Sequence, residues 1–291
     1  MPLARVESLD DPRLADYRHV PDPELLRRGD VFVAEGRLVV RTLLESSPFR
    51  ARSVLLTENA FRALADVLEP RLADLHVFLV EQGTIEALTG FNIHRGCLAV
   101  GERPPRATVE DLLTRLPGAR RLVVLERIAN ADNLGGILRS AGAFGADAVV
   151  LGPGCCDPLY RKAIRVSMGA ALRVPCCEAS AWGADLERLR VSGFAVAALV
   201  TDEGADDIAR YASAFPPGGR LALMAGSEGA GLTPEALVHA DVAIRIPMAP
   251  GVDSLNVAMA TGIALHRFFY SGLRYHGQAN LNSFTTRRGP C

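Results

Sequence analysis

Two loops of the sequence carry the residue types best suited to hold a ligand and act on it. One loop spans 226–231 and places Glu228 among three glycines, and the other spans 247–256 and contains Ser254 and Asn256. Glycines leave backbone amides and carbonyls open to a bound molecule, because no side chain intervenes. Hydroxyl, amide and carboxylate groups add donors and acceptors for a polar substrate. These loops are therefore the first candidates for a binding and reaction site.

Each loop follows a compact apolar segment of strand length, at 221–225 and at 242–246. Such segments are typical of buried parallel strands, and ligands collect outside the carboxyl ends of these strands. We therefore predict that the two loops border one pocket. A long helix is expected after the second loop, with Ser254 as its N-cap. Asn256 then falls one step inside this helix, where asparagine has a lower helix propensity than most residues. This favours a role in holding the loop in position.

A third motif lies about a hundred residues upstream, where 133–139 reads Asn-Leu-Gly-Gly-Ile-Leu-Arg. Asn133 is a good N-cap for the helix predicted there. Gly135 and Gly136 allow another backbone or a substrate to come close. Arg139 is a cation among apolar and small residues, which favours a functional role over a surface salt bridge.

Together these motifs resemble the SpoU (TrmH-like) family. The matching segments are N-x-G-x-x-x-R at 133–139, G-S-E-G-x-G-L at 226–232, I-P-M at 246–248 and S-L-N-V-A at 254–258. The resemblance implies an RNA ribose 2′-O-methyltransferase that uses S-adenosylmethionine and has a parallel-sheet α/β domain with a trefoil knot. Knots are nearly absent from other proteins, so this expectation rests on the resemblance alone.

The resemblance also implies roles for individual residues. The implied catalytic residues are Arg139, Asn133, Glu228, Ser254 and Asn256. The implied cofactor-binding residues are Met224, Ala225, Gly226, Ile246, Met248, Ser254, Leu255 and Asn256. Glu228 is expected to orient Asn133 or Arg139. In the family Arg139 is a proposed general base, but a guanidinium is in effect always protonated, so phosphate clamping with hydroxyl polarisation is the alternative.

Any contact with RNA must come from local patches, because the formal net charge is only −1. Arg161, Lys162 and Arg165 lie on a predicted helix near the pocket edge, and the resemblance implies RNA phosphate contacts there. Arg37, at the start of a helix in the N-terminal part, is assigned the same role. A solvated helix face is the alternative for each of these residues.

The rest of the chain predicts two α/β units, because strands and helices alternate from 30 to 100 and again from 121 onward. The predicted parts are a smaller α/β domain at 1–102, a linker at 103–120, a methyltransferase domain at 121–270 and a polar tail at 271–291. The smaller domain resembles the L30e-like substrate-binding domain that precedes many SpoU catalytic domains. Because that domain accompanies many ribosomal members, we favour ribosomal RNA over transfer RNA as the partner.

Several other functions fit the sequence less well. The strand that ends at Glu126 lacks the G-x-G-x-x-G pattern of a dinucleotide site. The six cysteines include two vicinal pairs but no C-x-x-C, so we expect buried thiols and no metal. Three alternatives stay open: a catalytically silent RNA-binding protein on the same scaffold, a tRNA 2′-O-methyltransferase and a base methyltransferase. A role in antibiotic resistance is also undecided.

Location and assembly are predicted from weaker signals. No apolar run is long enough to span a bilayer and the first residues lack a signal-peptide core, so we expect a cytoplasmic protein without membrane contact. Small residues at 258–264 permit close packing of the last helix, and the resemblance implies a homodimer.

Overall fold

The computed structural model of the chain describes residues 3–18, 31–89 and 96–269, and the structural statements below refer to these. The polar tail predicted at 271–291 lies outside them, as does Gly90, where one helix was predicted to end. None of the helices in the described part of the chain is long and apolar enough to cross a membrane.

The N-terminal part forms a five-stranded mixed sheet. Its strands are β1 (Leu3–Arg5), β2 (Val31–Glu35), β3 (Ala51–Leu56), β4 (His76–Leu79) and β5 (Cys97–Glu102). They lie in the order β1-β4-β3-β5-β2, and β5 is antiparallel to both of its neighbours. Its helices are α1 (Arg37–Glu45), α2 (Glu58–Leu68) and α3 (Gln82–Thr89). The strands β2 to β5 lie where alternating apolar segments were predicted, whereas β1 was not predicted.

The alternation of side chains explains why this sheet is buried on both faces. Phe32 and Ala34 of β2 point to the core beneath α1 and α2, and Val31 and Val33 point to a second core on the opposite face. The resemblance of this part to an L30e-like domain stays a prediction.

The C-terminal part forms a seven-stranded sheet in which every pair is parallel. Its strands are β6 (Arg121–Leu125), β7 (Ala148–Leu151), β8 (Cys176–Glu178), β9 (Phe194–Leu199), β10 (Asp206–Asp207), β11 (Arg220–Ala225) and β12 (Val242–Arg245). They lie in the order β10-β12-β9-β11-β6-β7-β8. The predicted parallel-sheet α/β domain is therefore confirmed.

Helices cover both faces of this sheet. They are α4 (Val109–Arg115), α5 (Ala131–Phe144), α6 (Arg161–Val166), α7 (Trp182–Val191), α8 (Ile208–Ala214), α9 (Pro234–Val238) and α10 (Val257–Phe269). In β6, Val123 and Leu125 face the core beneath α5 and α10, while Leu122 and Val124 face the core beneath α4, α7 and α9. Burial on both faces requires such uninterrupted apolar strands.

One region differs from the sequence prediction. The sequence pattern predicts a helix over 156–170 and a strand over 171–176, whereas in the structure α6 is short and a 3-10 turn, Ala170–Leu172, follows it. The side chain of Asp157 accepts a hydrogen bond from the Leu159 backbone N–H, which holds a turn before α6. Positive φ angles of 53° at Met168 and 81° at Gly169 then end the helical path.

The two sheets pack against each other. One apolar core contains residues of both, including Val40 of α1 and Ile164 of α6. Oε2 of Glu35, at the end of β2, lies 3.9 Å from Arg161 Nε and 3.8 Å from Arg165 Nη1.

Candidate active site

The glycine-rich loop after β11 closes on itself. The backbone N–H of Gly231 donates to Ser227 O over 3.0 Å, and the two residues form an isolated antiparallel bridge. A Cβ atom added at Gly226 would lie 2.3 Å from the Gly231 carbonyl carbon, well inside van der Waals contact. Only glycine fits at this position, because the two ends of the loop are in contact there, and Glu228 lies exposed between them.

A buried carboxylate anchors the far side of this loop. Glu126, at the end of β6, is only 1% exposed. Its Oε2 accepts a hydrogen bond from the Thr233 backbone N–H over 2.8 Å, and its Oε1 accepts one from the Thr233 hydroxyl over 2.7 Å. Because Thr233 is also the N-cap of α9, one carboxylate holds both the loop and the start of that helix. This role was not predicted from the sequence, although a glutamate at the end of an apolar strand is a signal for it.

The three sequence motifs meet at the side chain of Asn256. Its Nδ2 donates to Asn133 Oδ1 over 2.9 Å and to Glu228 Oε1 over 2.6 Å. Its Oδ1 accepts from the backbone N–H groups of Ala258 and Met259, at 3.0 and 3.2 Å. Two backbone donors at the oxygen fix the orientation of the amide, so the nitrogen must face Asn133 and Glu228. We call Asn133, Glu228 and Asn256 the polar node.

This arrangement corrects the predicted helix caps. Asn256 caps α10 and lies before its first residue, whereas Ser254 is exposed and lies two residues further out. At α5 the cap is Asn130, whose side chain accepts from the Asp132 backbone N–H over 2.8 Å. Asn133 is therefore the third residue of its helix, and its side chain is free to bond Asn256. Serine and asparagine are both good N-caps, so local sequence did not distinguish them.

The prediction for Glu228 also needs correction. Its carboxylate contacts Asn256 and the Val257 backbone N–H rather than Asn133 or Arg139 directly. It reaches Asn133 only through the amide of Asn256.

Close packing of α5 against its neighbours places the node. A Cβ atom at Gly136 would lie 3.0 Å from Ala258 Cβ, and one at Gly135 would lie 2.7 Å from Val166 Cβ. The glycines at these two helix contacts let α10 and α6 approach α5 closely, as predicted from the sequence. The first turns of α5 and α10 then lie side by side.

Arg139 lies six residues along α5 from Asn133 and is exposed. Among the described residues it has no hydrogen-bond or ion-pair partner, which sets it apart from most arginines of this domain. A guanidinium left free in this way is available to an external anion.

The basic residues predicted to bind RNA are mostly paired. Arg161 and Arg165 face Glu35, as described above, and Lys162 Nζ lies 2.6 Å from Asp132 Oδ2. This last pair places Lys162 beside the start of α5 and therefore near the polar node. Arg165 and Lys162 are half-exposed, so such pairs add little stability and can be exchanged for phosphate contacts. Arg37 is exposed in the first turn of α1.

The predicted cofactor positions lie at the carboxyl edge of the parallel sheet. Met224 and Ala225 end β11 with buried side chains, so only their backbone can meet a ligand. Ile246 and Met248 follow β12, and Leu255 precedes α10, all three half-buried. The strand β9 lies between β11 and β12, so the crevice spans three strand ends rather than two.

The cysteines of the described residues are free thiols. Cys97 and Cys177 are buried, and Cys155, Cys156 and Cys176 are half-buried. Burial raises the pKa of Cys155 to about 11 and those of Cys156 and Cys177 to about 12. These thiols are therefore protonated near neutral pH, in line with the structural role predicted for them.

Comparison with known proteins identifies relatives of the whole chain. The sequence model of the SpoU rRNA methylase family matches residues 120–266. An uncharacterized tRNA/rRNA methyltransferase of Mycobacterium bovis is 39% identical over 90% of each chain. A 23S rRNA (guanosine-2′-O-)-methyltransferase of Salmonella typhimurium is 31% identical over 79% of this chain and 94% of its own.

The fold is similar to a solved structure as well. The crystal structure of an AdoMet-bound rRNA methyltransferase from Sinorhizobium meliloti has a TM-score of 0.78 and 26% sequence identity, covering 94% of this chain and 100% of that one.

Proposed function

Because this chain belongs to the SpoU rRNA methylase family, we propose that it methylates a ribose 2′-hydroxyl of ribosomal RNA, with S-adenosylmethionine as the methyl donor. As a member of this family, it has the trefoil-knotted, parallel-sheet methyltransferase domain that the resemblance implied. The observation that carries the proposal is the polar node, in which Asn133, Glu228 and Asn256 from three separate motifs share hydrogen bonds.

The residues at the carboxyl edge of the sheet fit an adenosyl cofactor. The loop closes so tightly that a Cβ atom at Gly226 would collide with Gly231, and its three glycines leave polar backbone groups uncovered by side chains beside the crevice. Gly226, Ile246, Met248 and Leu255 would hold the cofactor there. When bound, S-adenosylmethionine supplies a methyl group on a sulfonium, which is activated for transfer to an oxygen.

The polar node holds the loops that border this crevice. Glu228 ties the glycine-rich loop to the start of α10, and Asn256 ties α10 to α5. Fixing three segments in one geometry provides the orientation on which a bimolecular transfer depends, and orientation can account for about 7–11 kcal/mol of a barrier. Ser254, exposed beside the node, lies where the family resemblance puts the reacting centre.

Arg139 acts as a cation in this proposal. Its guanidinium binds the phosphate beside the target ribose and stabilises negative charge on the 2′-oxygen as the proton leaves. The exposed side chain supports this role, since none of the carboxylates in the described ranges pairs with it.

Recognition of the RNA involves both parts of the chain. Lys162 beside the polar node and Arg161, Arg165 and Arg37 around the junction of the two sheets would contact phosphates. Ribosomal RNA is favoured because the relative from Salmonella typhimurium named above is a 23S rRNA methyltransferase.

A homodimer in the cytoplasm completes the proposal. Met259 and Ile263 on α10 are 60% and 41% exposed, and such an apolar helix face suits a second copy of the chain.

The test maps ribose methylation on RNA from cells with and without the gene. A 2′-O-methyl group blocks alkaline cleavage of the following phosphodiester, so one protected position should disappear from ribosomal RNA in the deletion strain. The purified protein should then restore it with labelled S-adenosylmethionine. Protection of transfer RNA alone, a methylated base, or cofactor binding without transfer would each replace the proposal by one of its alternatives.

A further inference from the structure

A cavity of about 440 Å³ lies where the linker crosses between the two sheets. It is bordered by β7 and β8, at the opposite end of the parallel sheet from β12. The site described above uses none of its residues. Its volume falls in the range of small-molecule pockets.

The wall of this cavity carries an excess of positive charge. Four arginines and two carboxylates line it: Arg103, Arg106, Arg115, Arg173, Asp157 and Glu178. Arg103 donates to both oxygens of Asp157 at 2.7 and 3.2 Å, and Arg106 pairs with Asp157 and Glu178. The two carboxylates are thereby neutralised.

The other two arginines have no such bonded carboxylate among the described residues, although the charge of Asp111, one turn earlier on α4, acts on Arg115 from a longer distance. Arg115 and Arg173 are exposed and have no hydrogen-bond or ion-pair partner within the described parts of the chain. They belong to different segments, the end of α4 and the turn before β8, but line the same cavity. Two guanidinium groups that donate to no carboxylate of the described residues line one cavity, and this favours an anion, a phosphate in particular.

A buried donor on the wall also lacks an acceptor. The side chain of Arg103 is only 9% exposed, and its Nε is buried without a hydrogen-bond partner. Burying a donor without an acceptor costs about 1–3 kcal/mol, so such groups usually have a partner. A small rotation of the side chain toward the cavity would let a polar ligand supply one.

The remainder of the wall is apolar and partly aromatic. Phe49 lines the cavity, and its ring packs edge-on against Phe32 with centroids 5.4 Å apart. That contact holds the ring in place. Prolines and leucines, among them Pro104, Pro175 and Leu159, complete the wall. Unstacked nucleobases bind to such aromatic and apolar surfaces.

From these features we propose that the cavity binds a nucleoside monophosphate unit. Arg115 and Arg173 bind the phosphate, and Phe49 with the apolar wall receives the base. The unit has two possible sources, an unstacked nucleotide of the substrate RNA or a free nucleotide. Only the first source rests on the proposed function.

The first experiment uses the whole chain and free nucleotides. Titration calorimetry with AMP, GMP, CMP and UMP is run in saturating S-adenosylhomocysteine. This compound occupies the cofactor site, so that the added nucleotides cannot bind there. We expect at least one monophosphate to bind, and its nucleoside or inorganic phosphate alone to bind at least tenfold more weakly. The double variant Arg115→Ala/Arg173→Ala should weaken this binding at least tenfold.

Matched controls separate a lost site from a damaged fold. Arg62→Ala removes another exposed arginine that has no partner among the described residues. It should leave the affinity for the monophosphate unchanged. The double variant should keep its thermal midpoint and its affinity for S-adenosylhomocysteine. Phe49→Leu keeps an apolar side chain but loses the aromatic ring. It should therefore reduce the difference in affinity between the nucleoside monophosphate and inorganic phosphate.

The second experiment distinguishes the two sources. If the double variant also binds ribosomal RNA more weakly and with a shallower salt dependence, the unit belongs to the RNA. If its RNA binding equals that of the wild type, the cavity takes a free nucleotide. Absence of monophosphate binding to the wild type, or binding that survives the double substitution, would overturn the proposal. A wild type that binds the monophosphate but methylates no RNA would refute the proposed function alone.

Discussion

The amide nitrogen of Asn256 donates a hydrogen bond to Asn133 Oδ1 over 2.9 Å, and this bond joins the first turns of α10 and α5. The residues are 123 positions apart in the chain. The same amide caps α10 through its oxygen, so one side chain serves both the stability of a helix and the geometry of the polar node.

These two roles can be separated by substitution at position 256. Asn256→Ala removes the cap and the node, and we expect it to lower the free energy of unfolding by about 1 kcal/mol and to reduce methyl transfer at least tenfold. Asn256→Ser keeps a capping oxygen and adds no charge beside Glu228, but its hydroxyl is too short to reach Asn133 and Glu228. It should therefore fold with nearly wild-type stability and still lose activity. Urea unfolding and a labelled-methyl assay measure the two effects.

Ser254→Ala is the matched control for the cap. Because Ser254 does not cap α10, its removal should leave the unfolding free energy unchanged within experimental error. A loss as large as that of Asn256→Ala would contradict the assignment of the cap.

Gly226→Ala should damage cofactor binding. The new methyl group would lie 2.3 Å from the Gly231 carbonyl carbon, so the loop must open to admit it. We expect the affinity for S-adenosylhomocysteine, measured by calorimetry, to fall at least tenfold. Gly118→Ala is the control, since a Cβ atom there meets nothing within 4 Å. Equal affinities in the two variants would show that the loop does not border the cofactor.

Glu126→Gln should destabilise the fold. The carboxylate accepts from two groups of Thr233, whereas a glutamine would turn its own N–H₂ group toward one of these donors. Leaving buried donors unpaired costs about 1–3 kcal/mol, so the urea midpoint should fall accordingly. Glu203→Gln, at an exposed turn position, should leave it unchanged. Identical midpoints for both variants would argue against the anchoring role of Glu126.

Arg139→Ala should nearly abolish methyl transfer without changing the stability of the protein. The side chain is exposed and has no partner in the described ranges, so its removal breaks no contact there. Arg139→Lys keeps the charge but loses the bidentate geometry, and we expect an intermediate rate. Arg62→Ala serves as the control. Near-normal transfer by Arg139→Ala would remove Arg139 from the reaction.

The buried thiols predict a loss of stability at high pH. Burial raises the pKa of Cys155 to about 11 and that of Cys177 to about 12, from the ordinary value of 9.0. The folded state therefore holds these protons more tightly than the unfolded state does. Their contribution to stability is complete below pH 9 and declines as the pH rises toward 12. Urea unfolding at pH 8, 9 and 10 should show this decline.

Alkylation gives an independent measure. At pH 9 iodoacetamide should modify the native protein much more slowly than the urea-unfolded chain, since only thiolates react. Equal rates would mean that the thiols are not protected by the fold.

Local patterns in the sequence determined most of the elements of this protein. Apolar segments bounded by turn residues located the strands β2 to β5 of the first sheet and β11 and β12 beside the site. The spacing of Thr108 and Asp111 in the sequence predicts a capping box at the start of α4, and the structure confirms it with reciprocal bonds of 2.9 and 3.1 Å. These signals are readable because caps and alternation depend on residues near each other in the chain.

Only the tertiary structure decided which polar side chains meet. Ser254 and Asn256 are equally suitable caps locally, and contacts with Glu228 and Asn133 from distant segments select Asn256. Glu126 has no partner within its own strand and acquires its role only when Thr233 is brought across the sheet edge. Hydrogen bonds between distant segments depend on how the whole chain packs, and no local pattern records them.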